Sequence, residues 1–164
     1  MSVEFNADEV FQMAEQIERN GAKFYRKAAA QAKDEEARGL LTHLAEMEDD
    51  HERTFAAMRA NLPDEARTPM VFDPDNESGL YLQAMADGYV FDVREDPSEK
   101  LTGGEPTADV LRMAIAREKE SIVFYEAMKV TVPPNAGHAG LDRIIREELG
   151  HIAVLSKALA ALWP

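Results

Sequence analysis

Cysteine is absent from all 164 residues. That excludes disulfides, thiolate nucleophiles, iron–sulfur clusters and cysteine-ligated zinc together. Basic residues are scarce: 18 Lys and Arg stand against 31 Asp and Glu, a formal charge of −13. A chain this acidic lacks the positive surface that nucleic acid or an anionic membrane requires. No apolar run approaches the roughly 20 residues that span a bilayer. The opening residues, Met1, Ser2, Val3, Glu4 and Phe5, lack both the basic and the apolar part of a secretory signal. A cytoplasmic protein is the expectation. The apolar content is ordinary for a folded protein, 45%, which argues against disorder. The length suits one domain over 1–164 with a full core.

Helical periodicity fills most of the chain. Asn6 followed by Glu9 is the signature of a capping box. From there to about Ala32, apolar or small residues recur at helical spacing: Val10, Ala14, Ile17, Gly21, Phe24 and Ala28. Asp34 is placed to cap a second helix reaching about Asn61, with Leu40, Leu44, Met47, Phe55 and Met58 on its inner face. Leu62 and Pro63 end it. A third helix starts near Pro106 and Thr107, proline being tolerated in a first turn, and runs to about Thr131. Its stripe is Leu111, Ala114, Ile115, Ile122 and Met128. Pro133, Pro134 and Asn135 then break the chain. The fourth helix runs from about Ala136 to Leu162 through Leu141, Ile144, Ile145, Ile152, Leu155 and Leu159. Each helix is roughly 24–28 residues, or about 36–42 Å.

Few residues join the first helix to the second, or the third to the fourth, so each pair reads as an antiparallel hairpin. About 45 residues separate the pairs, too many for a structureless loop in a compact domain. Part of that stretch has a helical pattern of its own: Leu80, Tyr81, Leu82, Gln83, Ala84, Met85 and Ala86, stopped by Gly88. Asp73, Pro74, Asp75, Asn76 and Glu77 superficially suggest a calcium loop. The glycine falls at the wrong place, however, and Ala84 stands where a bidentate Glu is needed. The stretch reads as a turn with a helix cap. The expected fold is all-α: a ferritin-like four-helix bundle of two antiparallel hairpins, joined by a long crossover containing a short helix.

Two polar patterns lie one hundred positions apart. The first is Glu18, Tyr25, Glu48 and His51; the second is Glu118, Tyr125, Glu148 and His151. Residues three, four and seven apart share a helix face. On that rule Glu18 lies in line with Ala14, Gly21 and Tyr25, and Glu48 and His51 with Leu44 and Phe55. Glu118 aligns with Leu111, Ala114, Ser121 and Tyr125, and Glu148 and His151 with Leu141 and Leu155. All six acidic and imidazole groups interrupt stripes that should face the core. Asp49, Asp50, Glu52, Glu35 and Glu36 read as solvent-facing.

An unpaired ionised carboxylate in an apolar interior costs several kcal/mol even after relaxation. Four together would also repel one another. No Arg or Lys recurs in the stripes to match them. Two divalent cations would cancel the four charges, and carboxylate with imidazole suits iron or manganese, and also zinc. A Glu and a His three residues on share one side of one helix, so each Glu-x-x-His is half of a site. One such motif means little in a Glu-rich chain. Two, each about 30 residues after a lone inward Glu, form a specific constellation.

The set Glu18 with Phe24 and Tyr25, Glu48-x-x-His51, Glu118 with Phe124 and Tyr125, and Glu148-x-x-His151 resembles the rubrerythrin branch of the ferritin-like superfamily. The resemblance spans nearly the whole chain. It implies Glu18 and Glu118 as terminal ligands, Glu48 and Glu148 as bridges, and His51 and His151 as caps of one metal each. It also implies a non-haem centre of two iron ions that reduces hydrogen peroxide or dioxygen, and a homodimer, with hairpins exchanged through the crossover as one form of it. Rubrerythrins carry a C-terminal rubredoxin domain with four cysteines, which this sequence lacks, so electrons are expected from an external donor protein. They also carry an extra Glu three residues after the third-helix ligand. Here that position is Ser121, its repeat mate is Gly21, and the change points toward ferroxidase or oxidase behaviour.

Tyr25 and Tyr125 lie two turns from Glu18 and Glu118, about 10 Å along the axis. They read either as partners of the ligand carboxylates, able to donate an electron, or as core aromatics whose hydroxyls need a partner. Glu15 reads as a surface group or a neighbour of the ligands, His43 and His138 as surface residues, and the methionines as core filler rather than a copper site. Two other classes stay open: a ferroxidase or iron-storage module without efficient turnover, and a helical interaction protein without metal.

Overall fold

The computed structural model of the chain describes residues 5–68, 80, 81, 84, 92 and 94–162. Asn6 opens helix α1 (Ala7–Gln31) with the full capping box: its side chain accepts from the Glu9 backbone, and the Glu9 carboxylate accepts from the Asn6 backbone. Asp34 caps helix α2 (Glu35–Ala60) through the Ala37 backbone N–H. Helix α3 (Thr107–Thr131) follows Pro106, and helix α4 (Ala139–Ala161) completes the bundle. Two short 3-10 turns, Asp64–Arg67 and Pro97–Lys100, pack against α1. Within each hairpin the helices pack closely, and α1 meets α3 as α2 meets α4. Among the described residues, no helix is long and apolar enough to cross a membrane.

Two expectations change in detail. The fourth helix does not begin near Ala136. A short π-helical turn, Pro134–His138, precedes it, and Gly137 within that turn has non-helical dihedrals. A Cβ on Gly137 would lie 3.0 Å from the Phe11 ring and 3.2 Å from Val132, so a side chain there would have to push its neighbours aside by a few tenths of an ångström. On α2 the buried residues include Leu41 and Ala45, whereas Leu40, Met47 and Met58 are only half-buried. Within the expected crossover helix, Leu80, Tyr81 and Ala84 are helical. The rest of that stretch and the turn at Asp73 lie outside the described residues.

The apolar core has two parts. One gathers Phe11, Ile17, Phe55, Phe124, Tyr125 and Met128 with Leu141 and Ile144. The other gathers Phe24, Tyr25, Leu41, Leu44, Leu111 and Ala114 with Leu155. At the repeat offset, Phe24, Tyr25, Leu41 and Leu44 of the second part correspond to Phe124, Tyr125, Leu141 and Ile144 of the first. The sequence repeat is therefore an internal two-fold that exchanges the two cores. Each carries the same edge-on ring pair: Phe24 on Tyr25 at 5.5 Å and 74°, Phe124 on Tyr125 at 5.8 Å and 66°. Between the cores, on all four helices, comes a single polar layer.

Candidate metal centre

That layer consists of Glu18, Glu48, His51, Glu118, Glu148 and His151, none more than 4% exposed. Each helix turns its residues inward because the neighbours one turn away are apolar and buried. Glu148 lies at the middle: one carboxylate oxygen is 3.0 Å from Nδ1 of His51, and the other is 2.9 Å from Nδ1 of His151. Glu18 stands 3.6 Å from Nδ1 of His51. Glu48 and Glu118 stand 3.5 and 3.6 Å from Nδ1 of His151. The imidazoles stack with centroids 5.5 Å apart.

The six resolve into two sets of four. Glu18, Glu48, His51 and Glu148 offer one ligand atom each within 4.8 Å of one another; so do Glu48, Glu118, Glu148 and His151. The internal two-fold exchanges the sets, and Glu48 and Glu148 belong to both. Most of these approaches lack the alignment of a hydrogen bond. Buried oxygens of Glu18, Glu48 and Glu148, Nδ1 of His51 and both ring nitrogens of His151 have no hydrogen-bond partner among the described residues. Buried polar atoms are ordinarily satisfied, so orphans converging on one place suit a cation. Carboxylate and imidazole together are a fitting donor set for iron, manganese or zinc.

The tyrosines cross between the halves. The Tyr25 hydroxyl donates to Glu118, and the Tyr125 hydroxyl donates to Glu18. Burial, then the adjacent carboxylates, hold both phenols well above their usual pKa, so they stay protonated donors. Gly21 supplies space: a Cβ there would lie 2.8 Å from Oε2 of Glu48. Ser121, at the mate position, is also buried.

Without a cation the site balances its charge with protons. Burial alone would lower the His51 imidazolium, but Glu148 and Glu18 hold it up at about 11. His151 is likewise lowered by burial and raised by Glu118, Glu148 and Glu48, to about 12. Burial and the charges of Glu48 and Glu118 push Glu148 up to about 8. Burial, with Glu18 and Glu118 nearby, raises Glu48 as well. Glu118 goes the other way: burial raises it, yet contact with His151 leaves it lowered. A site holding extra protons among four carboxylates can exchange them for cations.

Other sequence candidates fall elsewhere. Glu15 pairs with Arg59 at 3.4 Å, and Arg59 also grips Asp8, so Glu15 is outside the cluster. His43 is exposed beside Glu46. His138 is not a free surface residue: its Nε2 lies 2.9 Å from the Lys129 carbonyl and 2.8 Å from that of Val132, closing the C-terminus of α3. Asp49, Glu52 and Asp50 pair with Arg26, Arg19 and Arg53. Sequence reading missed Glu147, whose carboxylate lies 2.8 Å from Nε2 of His51. Its repeat mate is Met47, so the repeat gave no signal for it.

No family model and no curated protein matches the chain. A solved structure does: a protein of Thermotoga maritima described as ferritin-like and diiron-carboxylate, at a TM-score of 0.75 and 24% identity, covering 96% of each chain. The fold is that of the ferritin-like helical bundles. At that identity the match speaks for architecture, and the geometry of the donor cluster rests on this chain's own side chains.

Proposed function

We propose that the chain is a dinuclear non-haem metal protein of the rubrerythrin type, reducing hydrogen peroxide or dioxygen with electrons from an external donor. The observation that carries this reading is the sharing of Glu48 and Glu148 between two four-residue sets. One Glu from each of two helices, with a Glu-x-x-His from each of the other two, is the ligand pattern of the ferritin-like carboxylate proteins. The diiron-carboxylate description of the Thermotoga protein supports iron as the occupant.

On this reading Glu18, Glu48, His51 and Glu148 hold one ion, and Glu48, Glu118, Glu148 and His151 the other. Bound iron would supply the two electrons that reduction of peroxide to water consumes, and would orient the oxygen substrate. The rest belongs to the protein. Tyr25 and Tyr125 orient Glu118 and Glu18 and carry the protons nearest those carboxylates. The two apolar cores keep bulk water from either end of the layer. Access is beside His51, at a surface cavity of about 280 Å³ lined by Met47, Asp50, Thr54, Arg143 and Glu147.

A second reading, a ferroxidase or iron-storage protein without efficient turnover, draws on Ser121, which stands where rubrerythrins place a further carboxylate. Elemental analysis of anaerobically purified protein, followed by peroxide and dioxygen consumption with and without a reductant, separates the two. Reductant-dependent cycling supports the oxidoreductase. Uptake and a single oxidation support the alternative. A chain free of metal and indifferent to added Fe(II) overturns both.

A further inference from the structure

The internal two-fold breaks at Glu147, beside the layer. Nε2 of His51 lies 2.8 Å from Glu147. Nε2 of His151, its mate, is buried with no hydrogen-bond partner among the described residues. The repeat offset puts Met47 where a second such carboxylate would stand, and a thioether is only a weak acceptor. The Glu147 side chain is 39% exposed, so it reaches His51 from the solvent side.

A ring nitrogen that binds a metal offers its lone pair, which leaves the proton on the other nitrogen. The group accepting that proton fixes the tautomer and the ring orientation, and makes the ligand more basic. In His51, Nδ1 faces Glu18 and Glu148, so the proton belongs on Nε2, where Glu147 accepts it. In His151, Nδ1 faces Glu48, Glu118 and Glu148, and Nε2 has no acceptor among the described residues. We infer that Glu147 is a positioning residue that makes the two subsites unequal, preforming the one containing His51 so that it takes a divalent cation first. This rests on the dinuclear reading above and adds to it an order of filling.

Titrating the metal-free full chain with Co(II) under nitrogen tests it, read by calorimetry and by the visible spectrum. Two steps are expected. Glu147→Ala should weaken the tighter step by about 10- to 100-fold and leave the other in place. The same variant should abolish a slowly exchanging imidazole N–H in the paramagnetically shifted proton spectrum. Glu147→Gln keeps an acceptor oxygen and should restore both signals. Met47→Glu should tighten the weaker step by giving His151 its partner. A Glu147→Ala isotherm and N–H signal identical to those of the unmodified chain overturn the inference while leaving the dinuclear reading intact. If the unmodified chain takes up no cobalt, the dinuclear reading itself falls, and the ordering with it.

Discussion

Tyr25 donates its hydroxyl hydrogen bond to Glu118, a carboxylate of the opposite half of the chain, and Tyr125 returns the bond to Glu18. Each half thus holds a buried carboxylate of the other. Hydrogen bonds to charged groups contribute about 1.5–3 kcal/mol, and a buried acceptor left alone keeps its desolvation penalty. Tyr25→Phe and Tyr125→Phe should each lower the stability of the metal-free protein by about that amount, measured by urea unfolding. A loss near zero in either variant would mean that the phenol is only a packed ring.

The shared carboxylates make a contrasting prediction. Glu148 touches both imidazoles and Glu48 belongs to both sets. Glu48→Gln or Glu148→Gln should therefore depress binding of both ions together, whereas Glu18→Gln or Glu118→Gln should weaken one and spare the other. Metal per chain after dialysis against a fixed low metal concentration reads the difference. Equal losses from all four variants would remove the distinction between bridging and terminal roles.

Gly21 allows a test of space rather than charge. Alanine is favoured over glycine inside a helix by about 1 kcal/mol, so Gly21→Ala should not destabilise the metal-free chain if Glu48 can swing aside. The displaced Glu48 would then no longer reach its place in the layer. Metal affinity should fall while the metal-free melting temperature holds or rises. Ser121→Ala, which adds no atom, should leave affinity unchanged. Unaltered metal uptake by Gly21→Ala would count against the placement of Glu48.

The pH dependence of the metal-free form follows from the protons it holds. Glu48 and Glu148 have raised pKa values in the folded chain, Glu148 at about 8. His51 and His151 are raised to about 11 and about 12. In every case the folded state binds more protons than the unfolded one, so the stabilisation is present at low pH and is lost as pH rises. Stability should fall from about pH 4.5 through about 8 as the carboxyl part is lost, with the imidazole part lost from about pH 6.5 on toward 11. Glu118, lowered, acts in the opposite sense and only at more acid pH. Metal competes with these protons, so the melting-point gain on adding metal should grow from about pH 5 to about pH 8. A gain that shrinks over this range would contradict the proton-for-cation exchange.

What the sequence revealed was what is local or repeated. Asn6 with Glu9, and Asp34, mark helix starts because a cap depends on three or four consecutive residues. The six buried donors were legible because each occurs twice at one offset on an apolar stripe. The crossing of Tyr25 to Glu118 was not, since helical spacing says which face a residue occupies but not which helix it meets. Glu147 was hidden for the opposite reason: it sits next to the buried Glu148, looks like any exposed acid, and has no carboxylate mate. The turn before α4 escaped because Gly137 answers to Phe11, which is remote from it in the chain.

Neither hairpin owns a complete set of donors, since each set of four draws on both. A lone hairpin paired with an identical copy of itself could meet the same demand, but with both sides forced alike. Covalent union of the two releases them from that sameness, and Met47 opposite Glu147 is a divergence that self-pairing halves could never acquire.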